Sequence, residues 1–148
     1  MTDRVQRELR FPQPPEKVWR AIASRTALAA WMYPNDFEPR VGHPFTFRIP
    51  AKPEVGFDGL IVHCEVLECD PPRRLVFSWT AGGPVVDTRV SFHLEPDGDG
   101  TRLLFEHAGF DLSHPWGEKA FHGAGYGWAR MLAELASVAA NLSDESAP

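Results

Sequence analysis

A long segment near the C-terminal end has apolar residues at every third or fourth position. It runs from Trp116 or Glu118 to Leu142 and predicts one amphipathic helix. About 25 residues with a rise of 1.5 Å each give a rod of about 37 Å, which must bury its apolar face against other elements. The apolar positions are Phe121, Ala124, Trp128, Met131, Leu132, Leu135, Val138 and Leu142.

Alternating apolar and polar residues predict the strands that this helix covers. The turn-forming clusters between the later strands are short, so neighbouring strands are expected to be antiparallel. The 12 glycines and 14 prolines also favour a turn-rich fold that contains strands over a helix bundle. The six predicted strands are Val5 to Phe11, Pro44 to Ile49, Phe57 to Glu68, Leu75 to Thr80, Val85 to Leu94 and Thr101 to Ala108.

Two short helices are predicted after the first strand, from Glu16 to Ala23 and from Thr26 to Met32, with Thr26 as the cap of the second. The order is therefore β-α-α-β-β-β-β-β-α. It predicts an α+β fold in which a six-stranded curved antiparallel sheet wraps around the C-terminal helix and can leave a cavity between them. We expect one domain over residues 1–142 and a disordered tail at 143–148.

Charge and composition exclude several classes of function. The net charge is −5 and no basic run occurs, so no nucleic-acid partner is expected. No apolar stretch reaches the ~18 residues of a membrane span and no signal segment is present. Cys64 and Cys69 lie an odd number of positions apart, so on one strand they would point to opposite faces and remain reduced thiols. A cytoplasmic location is expected.

The six histidines do not occur at metal-ligand spacing, and neither cysteine lies beside a second ligand at a zinc-like interval. The sequence also contains no GxSxG, GxGxxG or phosphate-loop motif. No metal and no cofactor are therefore expected.

Five short segments, in this order and spacing, resemble the START-like superfamily (SRPBCC, or helix-grip, Bet v 1-like). Within it the chain is similar to the heat-shock-protein-90 ATPase activator homologue family. The matching segments are Pro15-Glu16-Lys17-Val18-Trp19, Trp31, the stretch from Asp70 to Trp79, Thr101-Arg102-Leu103 with His107-Ala108-Gly109-Phe110, and Gly127-Trp128 with Met131, Leu132 and Leu135.

The resemblance implies a helix-grip fold and a range of activities. Members of the superfamily bind hydrophobic small molecules, cyclise polyketides, or hydrolyse or sequester antibiotics, and lipid binding and stress response belong to the same expectation. The namesake co-chaperone carries an extra domain ahead of this one. Because the predicted domain begins within a few residues of Met1, that extra domain is expected to be absent here.

Strand alternation assigns the residues that face the long helix. On the third strand, Val62, Cys64 and Val66 compete with the set that contains His63 and Glu65. The first set is preferred as inward because it leaves the two polar side chains in water. The candidate ligand-binding residues are Trp31, Phe45, Phe47, Phe77, Trp79, Phe92, His107, Phe121, Tyr126 and Trp128.

His107 is the titratable group on the inward face of the last strand, and burial should lower its pKa. It could orient a ligand, act as a general acid or base, or bond a backbone carbonyl or buried water. Trp79 offers an indole N–H to the same space or packs in the core. Gly123 and Gly127 lie one helical turn apart, either at a cavity mouth rimmed by Phe121, His122 and Tyr126 or in a frayed first turn.

Three functions follow from these residues. The first is non-catalytic binding of a hydrophobic or aromatic small molecule between the sheet and the last helix. The second is a small-molecule cyclase or hydrolase with His107 as acid or base, helped by His122 or Tyr126. The third is a protein-interaction module, co-chaperone-like or a homodimer, that uses an outer apolar patch of Val76, Leu104 and Ile61.

Overall fold

The structure, a computed structural model, describes residues 4–51, 53–56, 58–80, 88–109 and 117–142, without the side chains of 55 and 117–126. Apart from a short 3-10 turn at Pro53–Val55, the elements follow the predicted order. They are β1 (Val5–Phe11), α1 (Pro15–Ile22), α2 (Arg25–Trp31), β2 (Pro44–Ile49), β3 (Leu60–Asp70), β4 (Arg74–Trp79), β5 (Thr88–Asp97), β6 (Gly100–Ala108) and α3 (Gly117–Asn141).

The six strands form one antiparallel curved sheet in the order β1-β6-β5-β4-β3-β2. Consecutive strands from β2 to β6 are neighbours, as short turns require. The α3 helix packs near α1, α2 and β1. The predicted α+β helix-grip architecture is therefore confirmed.

The inner face of the sheet carries the core. On β3, Val62, Cys64 and Val66 are buried, whereas His63 and Glu65 are exposed. The preferred inward set is confirmed, and the reason is the cost of removing an imidazole and a carboxylate from water. From the helices, Leu28, Trp128, Leu132 and Leu135 complete the same core.

A bulge in β3 changes the expectation for the two cysteines. The register with β4 shifts between Val66 and Glu68, so one extra residue restarts the alternation. Cys69 then pairs with the buried Leu75 and packs against the core, on the same face as Cys64. The prediction of opposite faces was wrong. Both cysteines are free thiols, and five residues of strand, about 16 Å, separate them.

The helix boundaries also correct the sequence prediction. Ser24, not Thr26, caps α2, because its hydroxyl accepts the Ala27 N–H at 3.2 Å while its backbone is extended. The α1 helix begins at Pro15, one residue earlier than predicted, because a proline at the first helical position loses no hydrogen bond.

Strand ends differ from the predicted ones by a few residues. β3 begins at Leu60 rather than Phe57 and continues to Asp70, and β5 extends to Asp97. The β5–β6 hairpin turns at Gly98 with φ +60°, a backbone conformation that favours glycine. Residues 85–87 of the predicted fifth strand, Trp116 and the predicted tail at 143–148 lie outside the described residues. The domain boundary at 142 stays a prediction.

Within the described part of the chain, no helix is both long and apolar enough to cross a membrane. The same residues contain no group of three or more His, Cys, Asp or Glu side chains placed to hold a metal ion.

Candidate functional site

A continuous aromatic cluster lines the inner face of the sheet from β2 to β6. It runs through Phe45, Phe47 and Trp79, with ring centroids 5.5 and 5.6 Å apart along the series. Trp79 lies 5.5 Å from Trp128 of α3. These separations and tilted ring planes are typical of favourable aromatic pairs. The remaining members are Phe37, Phe77, Phe92, Phe105 and Trp31.

Where the aromatic cluster reaches β6, it adjoins a buried chain of hydrogen bonds. The indole Nε1–H of Trp128 donates to Nδ1 of His107 at 2.9 Å. The Thr88 hydroxyl lies 2.8 Å from Nε2 of His107 and donates to the Trp79 carbonyl oxygen at 2.6 Å. The chain therefore joins α3, β6, β5 and β4 inside the core.

These bonds assign the tautomer of His107. An indole nitrogen only donates, so Nδ1 accepts and carries no proton. The Thr88 hydroxyl proton points to the Trp79 carbonyl, so Thr88 Oγ1 accepts from Nε2–H. The imidazole is neutral with both ring nitrogens bonded. Burial lowers the pKa of His107 to about 3, which confirms the predicted direction and keeps the ring uncharged at neutral pH.

The structure brings the predicted ligand-binding residues together, but most of them are tightly packed. Phe47, Phe77 and Phe92 have no accessible surface, and a side chain without such surface borders no void that could hold a water molecule. Trp31, Phe45, His107 and Trp128 are at most 2% exposed. Phe121 and Tyr126 lie on α3, but their side chains are outside the described part, as is that of His122.

Close to His107, the inward side chains of Trp79 and Cys64 keep measurable surface, 8% and 6%. They are neighbours across the sheet, because the reciprocal backbone bonds between His63 and Thr80 place Cys64 opposite Trp79. Burial raises the pKa of the Cys64 thiol far above its usual range, so this group stays protonated. The surface left at this end of the inner face is thus aromatic and weakly polar.

Two contributors to this region were not identified from the sequence. No role was predicted for Thr88, because its two partners, the Trp79 carbonyl oxygen and the His107 ring, lie on the neighbouring strands β4 and β6 and become its partners only in the folded sheet. Phe37 lies in the irregular segment between α2 and β2, where the Asn35 side chain accepts its backbone N–H at 3.1 Å. Periodicity gives no signal in such a segment; the Asn-x-Phe turn pattern was the available clue.

The outer face of the sheet carries charges that pair with one another. Arg102 bonds Glu8 at 2.9 Å and Glu95 at 3.2 Å, and Arg10 bonds Asp97 at 2.7 Å. The hydrogen bond from Arg102 lowers the pKa of Glu8. Of the predicted outer patch, Val76 is buried and Ile61 is half exposed. An open groove of about 610 Å³ crosses this face, lined by Gln6, Arg7, Glu8, Arg74, Ser91, His93, Leu104, Phe105 and Glu106.

Comparison with protein families decides the classification. Residues 12–140 match the family described as Activator of Hsp90 ATPase homolog 1-like protein. The chain belongs to this family. The match spans every element from the start of α1 to the last turn of α3, so the Hsp90-activator-homologue fold accounts for nearly the whole molecule. A search among functionally curated proteins found no match.

Solved structures agree with the family assignment. Protein MLL2253 from Mesorhizobium loti is 30% identical with a TM-score of 0.81, over 95% of this chain and 98% of that one. DynU16, a protein from the dynemicin biosynthetic locus, is 20% identical with a TM-score of 0.78, over 95% of this chain and 48% of that one. The Aha1 dimer from Colwellia psychrerythraea is 19% identical with a TM-score of 0.70, over 90% and 93%.

Proposed function

We propose that this protein binds a hydrophobic or aromatic small molecule against the inner face of the sheet, at Trp79 and Cys64, without converting it chemically. The class includes lipid-like molecules with an aromatic or alicyclic body. The observation that carries the proposal is the accessible surface of Trp79 and Cys64 beside a wall of buried aromatic rings. Apolar lining with few polar groups is typical of small-molecule sites.

The state of His107 favours binding over catalysis. A general base at neutral pH needs a pKa near 7 and a free ring nitrogen within reach of the substrate. His107 has a pKa of about 3, and Trp128 and Thr88 occupy its two nitrogens. His107 therefore has a structural role beside the site. A cyclase or hydrolase that used His107 as acid or base would first have to break its hydrogen bonds with Trp128 and Thr88.

The binding test uses N-phenyl-1-naphthylamine, a neutral probe that fluoresces in apolar surroundings. We expect saturable binding to the wild-type protein and about tenfold weaker binding to Trp79→Leu, because that change removes most of the aromatic contact. Phe105→Leu is the matched control: it also removes an inner-face ring, but one that has 2% accessible surface. Equal affinity in the wild type and Trp79→Leu would reject the site.

The second candidate function is self-association through the outer face of the sheet. The groove on that face has acidic Glu8 and Glu106 toward β1 and basic Arg74 toward β4. A two-fold axis parallel to the strands would place each Arg74 over the acidic side of the second copy. The dimer named for the Colwellia relative supports this candidate. Sedimentation equilibrium of the wild type and Arg74→Glu tests it: a monomer in both would exclude it.

A cytoplasmic location belongs to the same proposal and is supported by the two free thiols. A role in stress response stays a prediction from family resemblance.

A further inference from the structure

The indole of Trp79 differs from those of Trp31 and Trp128 in its hydrogen bonding. Trp31 donates its Nε1–H to the Ala21 carbonyl oxygen at 2.8 Å, and Trp128 donates to His107. The Nε1–H of Trp79 makes no hydrogen bond with the described residues, and it is not one of their fully buried unpaired polar atoms, so it keeps accessible surface on a side chain that is otherwise mostly buried. An accessible donor of this kind can bond either a water molecule or the oxygen of a ligand that displaces the water.

The other polar groups around Trp79 are already used. The Thr88 hydroxyl donates to the Trp79 backbone carbonyl, and both nitrogens of His107 are bonded. The Cys64 thiol is a weak partner at best. The free indole N–H is therefore a polar feature that a ligand at this position would meet, and it can only donate.

The surroundings also set the charge that such a ligand can carry. In the described part of the chain, the inner faces of β2 to β6 hold no charged side chain, and burial keeps His107 neutral. A charged ligand group buried here would lose its hydration without gaining a counter-charge, which is strongly unfavourable.

We infer that the ligand is a neutral aromatic or alicyclic molecule with one hydrogen-bond acceptor, a ketone, ester or ether oxygen, which accepts from Trp79 Nε1–H while its apolar body lies against the accessible surface of Trp79 and Cys64. This inference rests on the proposed function and adds the polar group that the ligand must carry. The Phe47 and His107 rings lie each 5.6 Å from the Trp79 indole, on the same inner face.

The test compares 2-acetylnaphthalene with 2-isopropenylnaphthalene, in which a C=CH₂ group replaces the C=O group at nearly the same shape. Both compete with N-phenyl-1-naphthylamine for the wild type. We expect the ketone to bind about fivefold to tenfold more tightly, the factor that one net hydrogen bond supplies. In Trp79→Phe, which keeps the ring and loses the donor, the ratio should fall to about one. The anion 2-naphthoate should bind more weakly than the ketone.

Trp19→Phe is the matched control, since Trp19 is also a buried indole but lies on α1 outside the site. Its ketone-to-alkene ratio should equal that of the wild type. Binding of both compounds without a ketone preference, or a preference that survives Trp79→Phe, would overturn the inference while the proposed function stands. Failure of every probe to bind would overturn both.

A second readout needs no variant, in case Trp79→Phe does not fold. The carbonyl stretching band of bound 2-acetylnaphthalene should move to lower wavenumber than in a hydrocarbon solvent, because the oxygen accepts a hydrogen bond. A band at the hydrocarbon position would overturn the inference.

Discussion

At the scale of single residues, the arrangement around His107 decides the chemistry of the site. An imidazole held neutral between an indole donor and a threonine hydroxyl is a fixed structural group, and its burial carries a cost that depends on pH. The folded protein binds a proton at His107 only near pH 3, whereas an unfolded chain binds it near pH 6.5. The residue therefore links folding stability to pH in a defined window.

The sign of this linkage follows from which state takes up the proton first. Below about pH 6.5 the unfolded state is protonated and the folded state is not, so stability falls as the pH drops toward about 3. His107→Gln removes the titration and keeps an acceptor and a donor. Between pH 7 and pH 5, the free energy of unfolding measured with urea should fall by about 2 kcal/mol more in the wild type than in this variant. Equal losses would contradict the buried neutral state.

Cys64 gives a second test at this scale. Because burial raises the pKa of its thiol, we expect almost no alkylation by iodoacetamide in the native protein at pH 8 and rapid alkylation in urea. The Cys69→Ser variant isolates this thiol. Cys64→Ser serves as the comparison and should react faster in the native state, because Cys69 is only partly buried. Rapid native alkylation of Cys64 would mean that the inner face opens readily.

At the scale of elements, the start of α2 shows what local sequence signals leave open. Both Ser24 and Thr26 are good capping residues, and the choice depends on which backbone is extended at the turn after α1. Ser24→Ala should lower the free energy of unfolding by about 1 kcal/mol, measured by urea denaturation. Thr26→Ala, inside the helix, should have a clearly smaller effect. The reverse order would place the cap at Thr26.

Gly127 on α3 gives a prediction of opposite sign. A Cβ added there would meet nothing within 4 Å, so Gly127→Ala should raise the stability by about 1 kcal/mol through helix propensity alone. Gly100→Ala is the contrast, because its Cβ would collide with the Phe11 carbonyl and destabilise the β1–β6 pairing. Thermal unfolding of both variants checks the pair, and a loss of stability in Gly127→Ala would show that the glycine serves another purpose.

The elements themselves were predictable because two strong periodicities dominate this chain. Period-two alternation gave the inward faces, and three-four spacing gave α3. The exceptions have local causes. The bulge near Leu67 inserts one residue into β3, and no residue type in this segment predicts a bulge. It reverses the expected side of Cys69. The cap of α2 and the position of Phe37 likewise depend on backbone geometry and not on pattern.

At the scale of the whole molecule, the sequence located the aromatic interior but not its contacts. The inward strand residues near Trp79 and His107 were grouped correctly, because alternation determines which side a residue faces wherever no bulge interrupts the strand. The hydrogen-bond chain from Trp128 to the Trp79 carbonyl was not predictable, since it joins four elements whose relative rotation depends on packing. Because of these bonds, His107 is a structural part of the aromatic inner face and has no free ring nitrogen for acid-base chemistry.

The most direct test of binding at Trp79 is a nitrogen-proton correlation spectrum of the tryptophan side chains during titration with 2-acetylnaphthalene. The protein has five tryptophans, and the Trp79→Phe spectrum assigns the Trp79 indole signal by its disappearance. We predict that this signal shifts saturably and more than any other indole signal. Indole signals that stay fixed up to the solubility limit of the ketone would contradict ligand binding at this face.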